Sequence, residues 1–312
     1  MTEESTTVSR APSEAPPFRA GYAALLGRPN VGKSTLLNAW LGEHLSIVSP
    51  KPQTTRERVF GICTRPEGQV VFVDTPGLLA PRHRLHEAMQ REAEEGLAEA
   101  DVVVFVCEAG RPETYPDPET ADRIRGREVP VFWVANKVDR LGEAARAAVR
   151  EALGSLGGGV WLVSALTGEN LEPLLRAILA ALPPSPPLFP PEDLAAQPLR
   201  FFAEEYVRET CFEQFGEEVP HSIACRVEEF REDRDPVYIR MTLYVERPSQ
   251  KRIVVGRGGE AIRRVGTIAR RKIEALVGRP VYLDLWVKVL PGWRRKAAYL
   301  RRLGYRVPDA RG

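Results

Sequence analysis

Short apolar runs alternate with stretches of helical spacing between residues 18 and 182. Five runs are apolar at nearly every position, as parallel strands buried on both faces are: residues 22–26, 70–73, 102–107, 131–135 and 160–163. Four stretches between them have the spacing of amphipathic helices: residues 33–41, 85–97, 143–153 and 171–182. Residues 59–64 are predicted as an antiparallel edge strand. The alternation predicts an α/β domain with a mostly parallel sheet and helices on both faces.

Seven prolines among the sixteen residues 183–198 interrupt this alternation. So many prolines favour an extended conformation, and the segment is predicted to be a semi-rigid linker. Beyond it the spacing predicts a smaller α+β domain over residues 199–295, with its elements in the order α-β-β-α-β: residues 201–215, 223–230, 237–245, 259–277 and 281–289. A short basic helix over 293–303 and a basic tail over 296–312 follow. His221 is interpreted as a plain surface residue.

Composition places the chain among globular proteins. Apolar residues make up 43% and charged residues 28% of the 312 positions, and no apolar run approaches the roughly 20 residues of a membrane span. Residues 1–17 are acidic and proline-rich without the apolar core of a signal peptide, so we expect a disordered tail. The four cysteines are widely spaced, which favours free thiols in a reducing compartment. We therefore expect a cytoplasmic monomer.

The net charge of +2 conceals a strong asymmetry. Residues 248–312 hold 17 Lys and Arg against 4 Asp and Glu, net +13, whereas the rest of the chain holds 27 against 38, net −11. An asymmetry of this size indicates that the C-terminal part binds an anion, for which nucleic acid is the usual candidate. A solvated basic helix face is the alternative.

Residues 27–34, GRPNVGKS, fit the phosphate-binding pattern G-x-x-x-x-G-K-[ST] between a predicted strand and a predicted helix. The backbone N–H groups of such a loop surround phosphate oxygens, and the helix N-terminus adds a positive dipole end. Lys33 would neutralise the β- and γ-phosphates, and the Ser34 hydroxyl would bind Mg²⁺. The predicted phosphate-binding residues are Gly27, Arg28, Pro29, Asn30, Val31, Gly32, Lys33, Ser34 and Thr35.

Two further motifs complete the predicted phosphate and metal site. Asp74-Thr75-Pro76-Gly77 closes the predicted strand 70–73, and all four residues are predicted to bind the nucleotide. Asp74 can hold Mg²⁺ through water, and the Gly77 N–H can sense a γ-phosphate. In the loop 52–56 we favour Thr55 over Thr54 as a Mg²⁺ ligand in the triphosphate state, and an ordinary polar loop remains the alternative. The predicted metal ligands are therefore Ser34, Thr55 and Asp74, and the predicted catalytic residues are Lys33, Thr55 and Gly77.

Two loops at later strand ends select the base. The carboxylate of Asp139, in Asn136-Lys137-Val138-Asp139, can accept from the N1–H and 2-amino donors of guanine, which adenine lacks. Lys137 can lay its methylene stem over the base, and Ser164-Ala165-Leu166 can offer a backbone N–H to guanine O6. Four motifs in order at strand C-termini match the ligand crevice of an open parallel sheet, so we predict GTP and GDP as ligands.

The residue after the Asp74–Gly77 turn departs from Ras-like enzymes, which place there a glutamine that orients the attacking water. Here the residue is Leu78, which cannot orient water, so a slow intrinsic hydrolysis is expected, with water positioned by backbone groups or a partner. Asn30 has two candidate roles: it can seat a potassium ion that acts like an arginine finger, or it can hydrogen-bond locally within the loop.

A candidate nucleic-acid site begins at residue 251. Gly256-Arg257-Gly258-Gly259 fits the GXXG loop that clamps a nucleic-acid backbone in KH domains, and a simple turn is the alternative. The α+β frame and the surrounding cations favour RNA. The predicted RNA-binding residues are Lys251, Arg252, Ile253, Gly256, Arg257, Gly258, Gly259, Arg263 and Arg270. The closing segment 293–306 has aromatic residues among cations, and stacking on RNA, docking on the first domain and contact with an anionic membrane all remain open.

Together the segments GRPNVGKST, PQTTR, DTPG, NKVD, SAL and GRGG resemble the Era family of bacterial GTPases, which carry a C-terminal type-2 KH domain, over residues 18–300. The resemblance implies binding near the 3′ end of 16S ribosomal RNA, a role in maturing the small ribosomal subunit and, in some relatives, peripheral membrane association. The extra glycine of GRGG departs from the more usual loops of the family.

Three functions remain open from the sequence. In the first, GTP and Mg²⁺ order Thr55 and Gly77, the KH domain is repositioned on RNA, and hydrolysis releases the RNA. In the second, the chain is an RNA-binding module with GTP as a structural ligand. In the third, it is a GTPase of the membrane surface. The two threonines of the loop 52–56 and the DTPG turn favour the switch, whereas Leu78 is compatible with the second function.

Overall fold

The computed structural model describes residues 17–78 and 80–307. The first domain has the following strands and helices: β1 (Arg19–Leu26), α1 (Lys33–Leu41), β2 (Val59–Arg65), β3 (Gly68–Asp74), α2 (Arg84–Glu99), β4 (Val102–Glu108), α3 (Pro118–Arg125), β5 (Val131–Asn136), α4 (Glu143–Gly154), β6 (Gly159–Leu162) and α5 (Leu171–Ala181). The strand order in the sheet is β2-β3-β1-β4-β5-β6. The expectation for residues 1–16 lies outside the described residues.

The predicted mostly parallel sheet is confirmed. All neighbouring strands are parallel except the edge strand β2, which is antiparallel to β3 as predicted. Every residue of β3 and β4 is buried, because helices cover both faces of the sheet. Trp40 of α1 stacks on Phe72 of β3 on one face, and Phe105 contacts Trp133 on the other. The sheet therefore holds the strand C-termini, with the predicted nucleotide motifs, at one edge.

Helix α3 was missing from the prediction. It has only eight residues, and only Ala121 and Ile124 among them are buried, so its periodic signal is weak. The residues at its N-terminus do favour a helix. The Asp117 side chain accepts from the Thr120 N–H at 2.8 Å, and Pro118 follows at the first helical position.

The second domain comprises α6 (Leu199–Gln214), β7 (Ala224–Arg231), β8 (Val237–Val245), α7 (Pro248–Val255), α8 (Glu260–Val277), β9 (Val281–Val289) and α9 (Ala297–Arg302). Its sheet has the order β7-β8-β9, in which β8 is antiparallel to β7 and parallel to β9. Apolar side chains of α6 and α8 pack on one face of the sheet, which leaves its other face open at β9.

The predicted order α-β-β-α-β was wrong by one helix, because α7 precedes the GRGG loop. Pro248 occupies the first helical position and the Gln250 side chain accepts from the N–H groups of Glu246 and Arg247. The β-branched residues Ile253, Val254 and Val255 obscured this helix in the sequence. The loop therefore joins two helices.

The proline-rich segment is fixed to the first domain rather than free between the two domains. Pro184 and Ala195 form isolated bridges with Arg19 and Gly61. The buried Gln69 side chain accepts from the N–H groups of Leu188 and Phe189 at 2.8 and 3.0 Å. The segment thus lies along the edge of the sheet, where proline costs no ladder hydrogen bond.

The C-terminal segment docks on the first domain, which resolves the alternatives left open for residues 293–306. Trp293 and Leu300 are fully buried, and they belong to an apolar cluster with Leu85 and Met89 of α2. Residues 296–307 are therefore packed rather than a free tail. All four cysteines are buried with free thiols. Within the described residues, no helix is long and apolar enough to cross a membrane.

Candidate nucleotide site and nucleic-acid interface

The loop between β1 and α1 is tightly packed against its neighbours. Gly27 has φ 141°, and a Cβ there would lie 2.0 Å from the carbonyl oxygen of Val106. Gly32 has φ 101°, and a Cβ there would lie 2.2 Å from Nδ2 of Asn136. Neither position accommodates a side chain, so the glycines of the predicted motif are required by backbone conformation and by space.

Lys33 lies buried at the start of α1, beneath this loop. Its Nζ donates to the carbonyl oxygens of Gly27 and Arg28 at 3.1 and 3.2 Å. Burial lowers the pKa of Lys33 to about 8, although the nearby Asp74 favours the charged form. A phosphate group bound in the loop would stabilise the ammonium, so the site is electrostatically suited to an anion. The Arg28 side chain, in contrast, lies outside this cleft and lines the cavity beside Leu78.

The three predicted metal ligands lie together. Ser34 Oγ donates to Asp74 Oδ2 at 2.6 Å and lies 3.2 Å from Thr55 Oγ1. Ser46 Oγ donates to the same carboxylate oxygen at 2.7 Å, whereas the buried Oδ1 of Asp74 has no partner among the described residues. Burial also raises the pKa of Asp74. Two hydroxyls and an unpartnered buried carboxylate oxygen form a hard oxygen donor set that fits Mg²⁺.

The structure distinguishes the two threonines of the loop 52–56. The Thr55 side chain is buried beside Ser34, whereas the Thr54 carbonyl oxygen accepts from Arg208 of α6. Thr55 therefore stays the predicted ligand of Mg²⁺. Sequence reasoning missed Ser46, since no motif marks it.

The Asp74–Gly77 turn contacts the phosphate loop directly. A Cβ on Gly77 would lie 2.6 Å from the backbone nitrogen of Pro29, so only glycine permits this approach. The Leu78 N–H donates to the Gly27 carbonyl oxygen at 3.0 Å, while the Leu78 side chain packs with an apolar cluster. Thr75 was predicted to bind nucleotide, but its hydroxyl donates to the Leu25 carbonyl oxygen at 2.7 Å and is fully buried. Thr75 therefore fixes the turn instead.

Asn136 connects the base-binding loops to the phosphate loop. Its Nδ2 donates to the Val31 carbonyl oxygen at 2.9 Å, and its Oδ1 accepts from the N–H groups of Lys137 and Ala165 at 2.8 and 2.9 Å. The Ala165 N–H is therefore engaged within the protein. Among residues 164–168, all of them described, the backbone N–H of exposed Leu166 is the donor without a protein acceptor.

Lys137 and Asp139 are held in place for a base. Lys137 Nζ donates to the Asn30 carbonyl oxygen at 2.7 Å and to Glu108 at 2.6 Å, so its stem spans the cleft. Ser164 Oγ donates to Asp139 Oδ1 at 2.6 Å, which fixes the exposed carboxylate and leaves Oδ2 for a ligand. Predicted residues of the phosphate loop, together with Thr55, Gly77 and Lys137, line one cleft of about 400 Å³, whereas Asp139 and residues 164–166 lie outside its lining. Sequence reasoning missed Glu108, Arg111 and Arg140, the charged side chains at its rim.

In the second domain the GRGG loop turns sharply between α7 and α8. Gly256, Gly258 and Gly259 have φ angles of 75°, 58° and 81°. A Cβ on Gly256 would lie 2.7 Å from Cβ of Ala261, whereas a Cβ on Gly258 would meet nothing within 4 Å. Gly256 therefore serves the packing of the loop, and Gly258 leaves its outer surface open to a ligand.

A groove of about 350 Å³ lies between α8 and β9 and begins at Ile262 and Arg263, in the first turn of α8 after the loop. The predicted residues Arg263 and Arg270 line it, together with Ile262, Gly266 and Tyr282, which sequence reasoning missed. The predicted residues of α7 and the loop are exposed; they are Lys251, Arg252, Ile253 and Arg257. An apolar floor flanked by arginines suits unpaired bases with their phosphates.

The loop that carries Thr55 is bonded to the second domain. Arg56 is buried, and it donates to the carbonyl oxygens of Ile223 and His221 at 2.7 and 3.0 Å. Lys51 donates to the carbonyl oxygens of Phe212 and Phe215 at the end of α6. We call residues 47–58 the switch loop. Its position is therefore tied both to the metal site and to α6.

Glu209 of α6 joins three elements. Its carboxylate accepts from the Val48 N–H at 3.1 Å, from His44 Nε2 at 2.8 Å and from Lys272 of α8 at 2.7 Å. The same hydrogen bonds lower the pKa of Glu209, although burial opposes the shift. Since α8 begins at the GRGG loop, one buried carboxylate links the switch loop to the helix that borders the groove.

Three histidines lie at the junction of the domains, and His221 was wrongly interpreted as a plain surface residue. The His221 ring packs edge-on against Phe212 at 5.2 Å, and His83 and His86 lie 3.8 Å apart. Burial lowers the pKa of both His83 and His221 to about 4, and neighbouring cations contribute. The charged neighbours are Lys51, Arg56, Glu246, Arg294 and Arg295.

We expect the protein to lose stability as the pH falls from about 6.5 to about 4. In the unfolded chain a histidine takes up its proton near pH 6.5, whereas His83 and His221 in the folded chain resist protonation until about 4. The unfolded state therefore binds more protons in this window. The melting temperature should fall by a few °C more in the wild type than in a His83→Gln/His221→Gln variant. If the melting temperatures of the two proteins fall equally with pH, the pH dependence does not arise from His83 and His221.

Comparison with known proteins covers both domains. Residues 22–137 match the family described as 50S ribosome-binding GTPase, and residues 218–294 match the KH domain family. The GTPase Era of Halothermothrix orenii is 40% identical over 291 residues, which span 93% of this chain and 99% of that protein. The chain belongs to the Era family of GTPases. The GTPase Era of Carboxydothermus hydrogenoformans is 39% identical over 292 residues.

Solved Era structures extend this similarity to the arrangement of the whole chain. Era in complex with MgGDPNP and nucleotides 1506–1542 of 16S ribosomal RNA is 40% identical, with a TM-score of 0.88, and the match covers 93% of this chain and all of that one. A single-residue variant of Aquifex aeolicus Era bound to GDP·AlF4⁻ is 39% identical, with a TM-score of 0.85 and the same coverage.

Proposed function

We propose that this chain is a GTP-hydrolysing switch that binds 16S ribosomal RNA near its 3′ end and acts in the maturation of the small ribosomal subunit. The observation that carries the proposal is the switch loop, which places Thr55 beside Ser34 and Asp74 and also bonds to the second domain. An Era relative that holds MgGDPNP and RNA together supports the pairing of ligands.

On the nucleotide side, each loop has one task. The backbone of residues 27–32 and the Lys33 ammonium bind the phosphates, and Asp139 with the Leu166 N–H reads guanine. Ser34, Thr55 and Asp74 would hold Mg²⁺, which neutralises charge that develops on the phosphates during transfer. The Gly77 N–H lies beside the phosphate loop, where a γ-phosphate would attract it.

Hydrolysis is expected to be slow without a partner. The Leu78 side chain packs with the apolar cluster of the first domain, so it neither orients nor activates water. Lys33, Thr55 and Gly77 therefore stabilise charge and position the phosphates, and a backbone group or a partner must orient the attacking water.

The second domain is proposed to bind RNA through the GRGG loop and the groove between α8 and β9. Phosphates would contact the exposed backbone at Gly258 and the cations Arg257 and Arg263, and unstacked bases would enter the groove. Trp293 and Tyr305 are buried and Tyr299 is half-buried, so packing within the chain takes up most of the aromatic surface of the C-terminal segment. RNA is therefore favoured over a membrane surface.

Crosslinking in cells tests this proposal. The GTP-bound protein is crosslinked to RNA, the attached RNA is sequenced, and a Lys33→Ala variant serves as the nucleotide-free control. Reads should concentrate at the 3′ end of 16S ribosomal RNA and decline in the variant. An even distribution over all cellular RNA would refute the RNA target.

Asn30 connects the phosphate loop to the switch loop, since its Nδ2 donates to the Pro50 carbonyl oxygen at 2.7 Å. This contact supports the local role of Asn30, and the potassium site stays a prediction. If Asn30 Oδ1 also seats potassium, single-turnover GTP hydrolysis should be several-fold faster in potassium than in sodium, and the difference should disappear in Asn30→Ala. Identical rates of the wild type in the two salts would refute the potassium site.

A further inference from the structure

The second domain has an aromatic surface that the proposed RNA groove does not account for. Side chains at even-numbered positions of β8 and β9 point away from α6 and α8, onto the open face of the sheet. Tyr282 and Trp286 are 58% and 56% exposed there. Tyr238 stacks on Tyr282 with centroids 5.8 Å apart and planes inclined by 10°. We call Tyr238, Tyr282 and Trp286 the aromatic face.

Residues 17–78 and 80–307 cover only part of this sheet face. Toward the first domain, Thr242 and Tyr244 are 2% and 6% exposed, and the C-terminal segment packs against Tyr244. Trp286 lies opposite Thr242 in the register of β8 and β9, yet it projects beyond this cover. A contiguous exposed apolar patch, such as the stacked Tyr238 and Tyr282 with Trp286 beside them, marks an interaction surface.

The aromatic face is continuous with the groove. Tyr282 lines the groove beside Arg263 and Arg270, and it also stacks on Tyr238 on the open face. A strand that leaves the groove over β9 therefore meets Tyr282 first. Trp286 follows four residues along the same strand, about 13 Å away, so the two rings can hold separate bases.

Charges around the aromatic face suit a phosphate backbone. Glu229 pairs with Arg231 and Arg240, whereas Asp284, which pairs with no cation among the described residues, accepts from Trp286 Nε1 at 2.9 Å. Arg234 lies 5.8 Å from the centroid of Tyr238. Arg234 and Lys288 form no ion pair within the described part of the chain, so both cations are available to phosphates.

We propose that the aromatic face is a second RNA-binding surface, on which Tyr282 and Trp286 stack bases of the RNA that leaves the groove. This inference rests on the proposed RNA-binding function. Stacking on aromatic rings is tolerant of sequence, because every base has a π-face. The face would therefore extend the RNA site without reading further bases by hydrogen bonding.

The test compares long and short RNA. The probes are nucleotides 1506–1542 of 16S ribosomal RNA and truncations of it, down to the shortest fragment whose affinity still responds to a Gly258→Asp substitution. Trp286→Ala should weaken binding of the long RNA about 5- to 100-fold and change binding of the short fragment less than twofold. Trp286→Tyr should retain most of the affinity, and Leu188→Ala, which removes another exposed apolar side chain, should have no effect.

Tryptophan fluorescence gives a second readout. Trp40, Trp133 and Trp293 are at most 5% exposed. With the partly exposed Trp161 replaced by phenylalanine, Trp286 dominates quenching by acrylamide. The long RNA should protect it, and the short fragment should not.

Three outcomes separate the inference from the function on which it rests. Unchanged affinity of Trp286→Ala together with unprotected Trp286 would overturn the proposal while leaving groove binding intact. The proposal would also be overturned if self-association of the protein without RNA protects Trp286 from acrylamide. Failure of the wild type to bind the long RNA would instead refute the proposed function.

Discussion

Replacing Asp139 with asparagine is expected to lower the affinity for GTP about 100-fold or more and to create a binding site for xanthosine triphosphate. The Asp139 carboxylate accepts the Ser164 hydroxyl through Oδ1, which leaves Oδ2 for the base. Asparagine can keep the Ser164 hydrogen bond through its own Oδ1, which places an NH₂ donor against the donors of guanine. Each lost charged hydrogen bond costs about 1.5–3 kcal/mol. Xanthine has a carbonyl where guanine has its amino group, and it accepts from that NH₂.

Equilibrium binding of GTP, ATP and xanthosine triphosphate to the wild type and the variant measures this change in base specificity. Asp122→Asn is the matched control, because it neutralises an exposed carboxylate on α3 that pairs with Arg125 and does not line the nucleotide cleft. It should bind all three nucleotides as the wild type does. A variant Asp139→Asn that still prefers GTP would contradict the assignment of Asp139 to the base.

The second large effect is expected at the GRGG loop. Gly258→Asp should reduce RNA affinity about 100-fold at moderate salt, while GTP binding stays unchanged. The carboxylate would stand where phosphates approach, and it would reverse the local attraction provided by Arg257 and Arg263. Gly258 has φ 58° and a Cβ there meets nothing within 4 Å, so an aspartate fits sterically. Asp and Asn tolerate this backbone region better than other side chains.

Gly258→Asn is the matched control, since it has the same shape without the charge. It should lose far less affinity than Gly258→Asp, and the difference between the two should shrink as salt rises. Filter binding of the 1506–1542 RNA at two salt concentrations gives both quantities. Equal losses in the two variants would show that glycine at this position matters only for conformation.

The sheet and the nucleotide loops could be predicted because their signals are local. Runs such as residues 102–107 and 131–135 are apolar at successive positions, and each motif follows one of them directly. The glycines at positions 27 and 32 also follow from local backbone demands. Local sequence was less informative for α3 and α7, because eight residues are too few for a clear helical periodicity. The clearest signals of these helices are the capping residues Asp117 and Gln250.

Contacts between the domains could not be predicted, because they join residues far apart in the chain. Arg56 bonds to the carbonyl of Ile223, and Glu209 bonds to Val48 and Lys272. No periodicity relates such positions. The burial of Trp293 could not be predicted for the same reason, because Trp293 packs against α2, which is distant in the chain. In the sequence, its aromatic and basic neighbours are equally typical of an RNA-binding or membrane-binding segment.

Because Glu209 joins the switch loop to α8, we expect the coupling between GTP binding and RNA binding to depend on this residue. Glu209→Gln keeps the size of the side chain but removes the charge that holds His44 and Lys272. We expect the variant to bind GTP and RNA separately as the wild type does and to lose most of the coupling between them. Glu213→Gln, which removes the more exposed partner of Lys272, should retain the coupling.

The most direct test of the switch is the ratio of RNA dissociation constants with GDP and with a non-hydrolysable GTP analogue. Binding of the 1506–1542 RNA to the full chain is measured with Mg²⁺ and each nucleotide at saturation. We expect binding about tenfold tighter with the GTP analogue, within the usual range of coupling between sites, and a ratio near one in Glu209→Gln. Equal affinities in the wild type would contradict the account and leave GTP as a structural ligand.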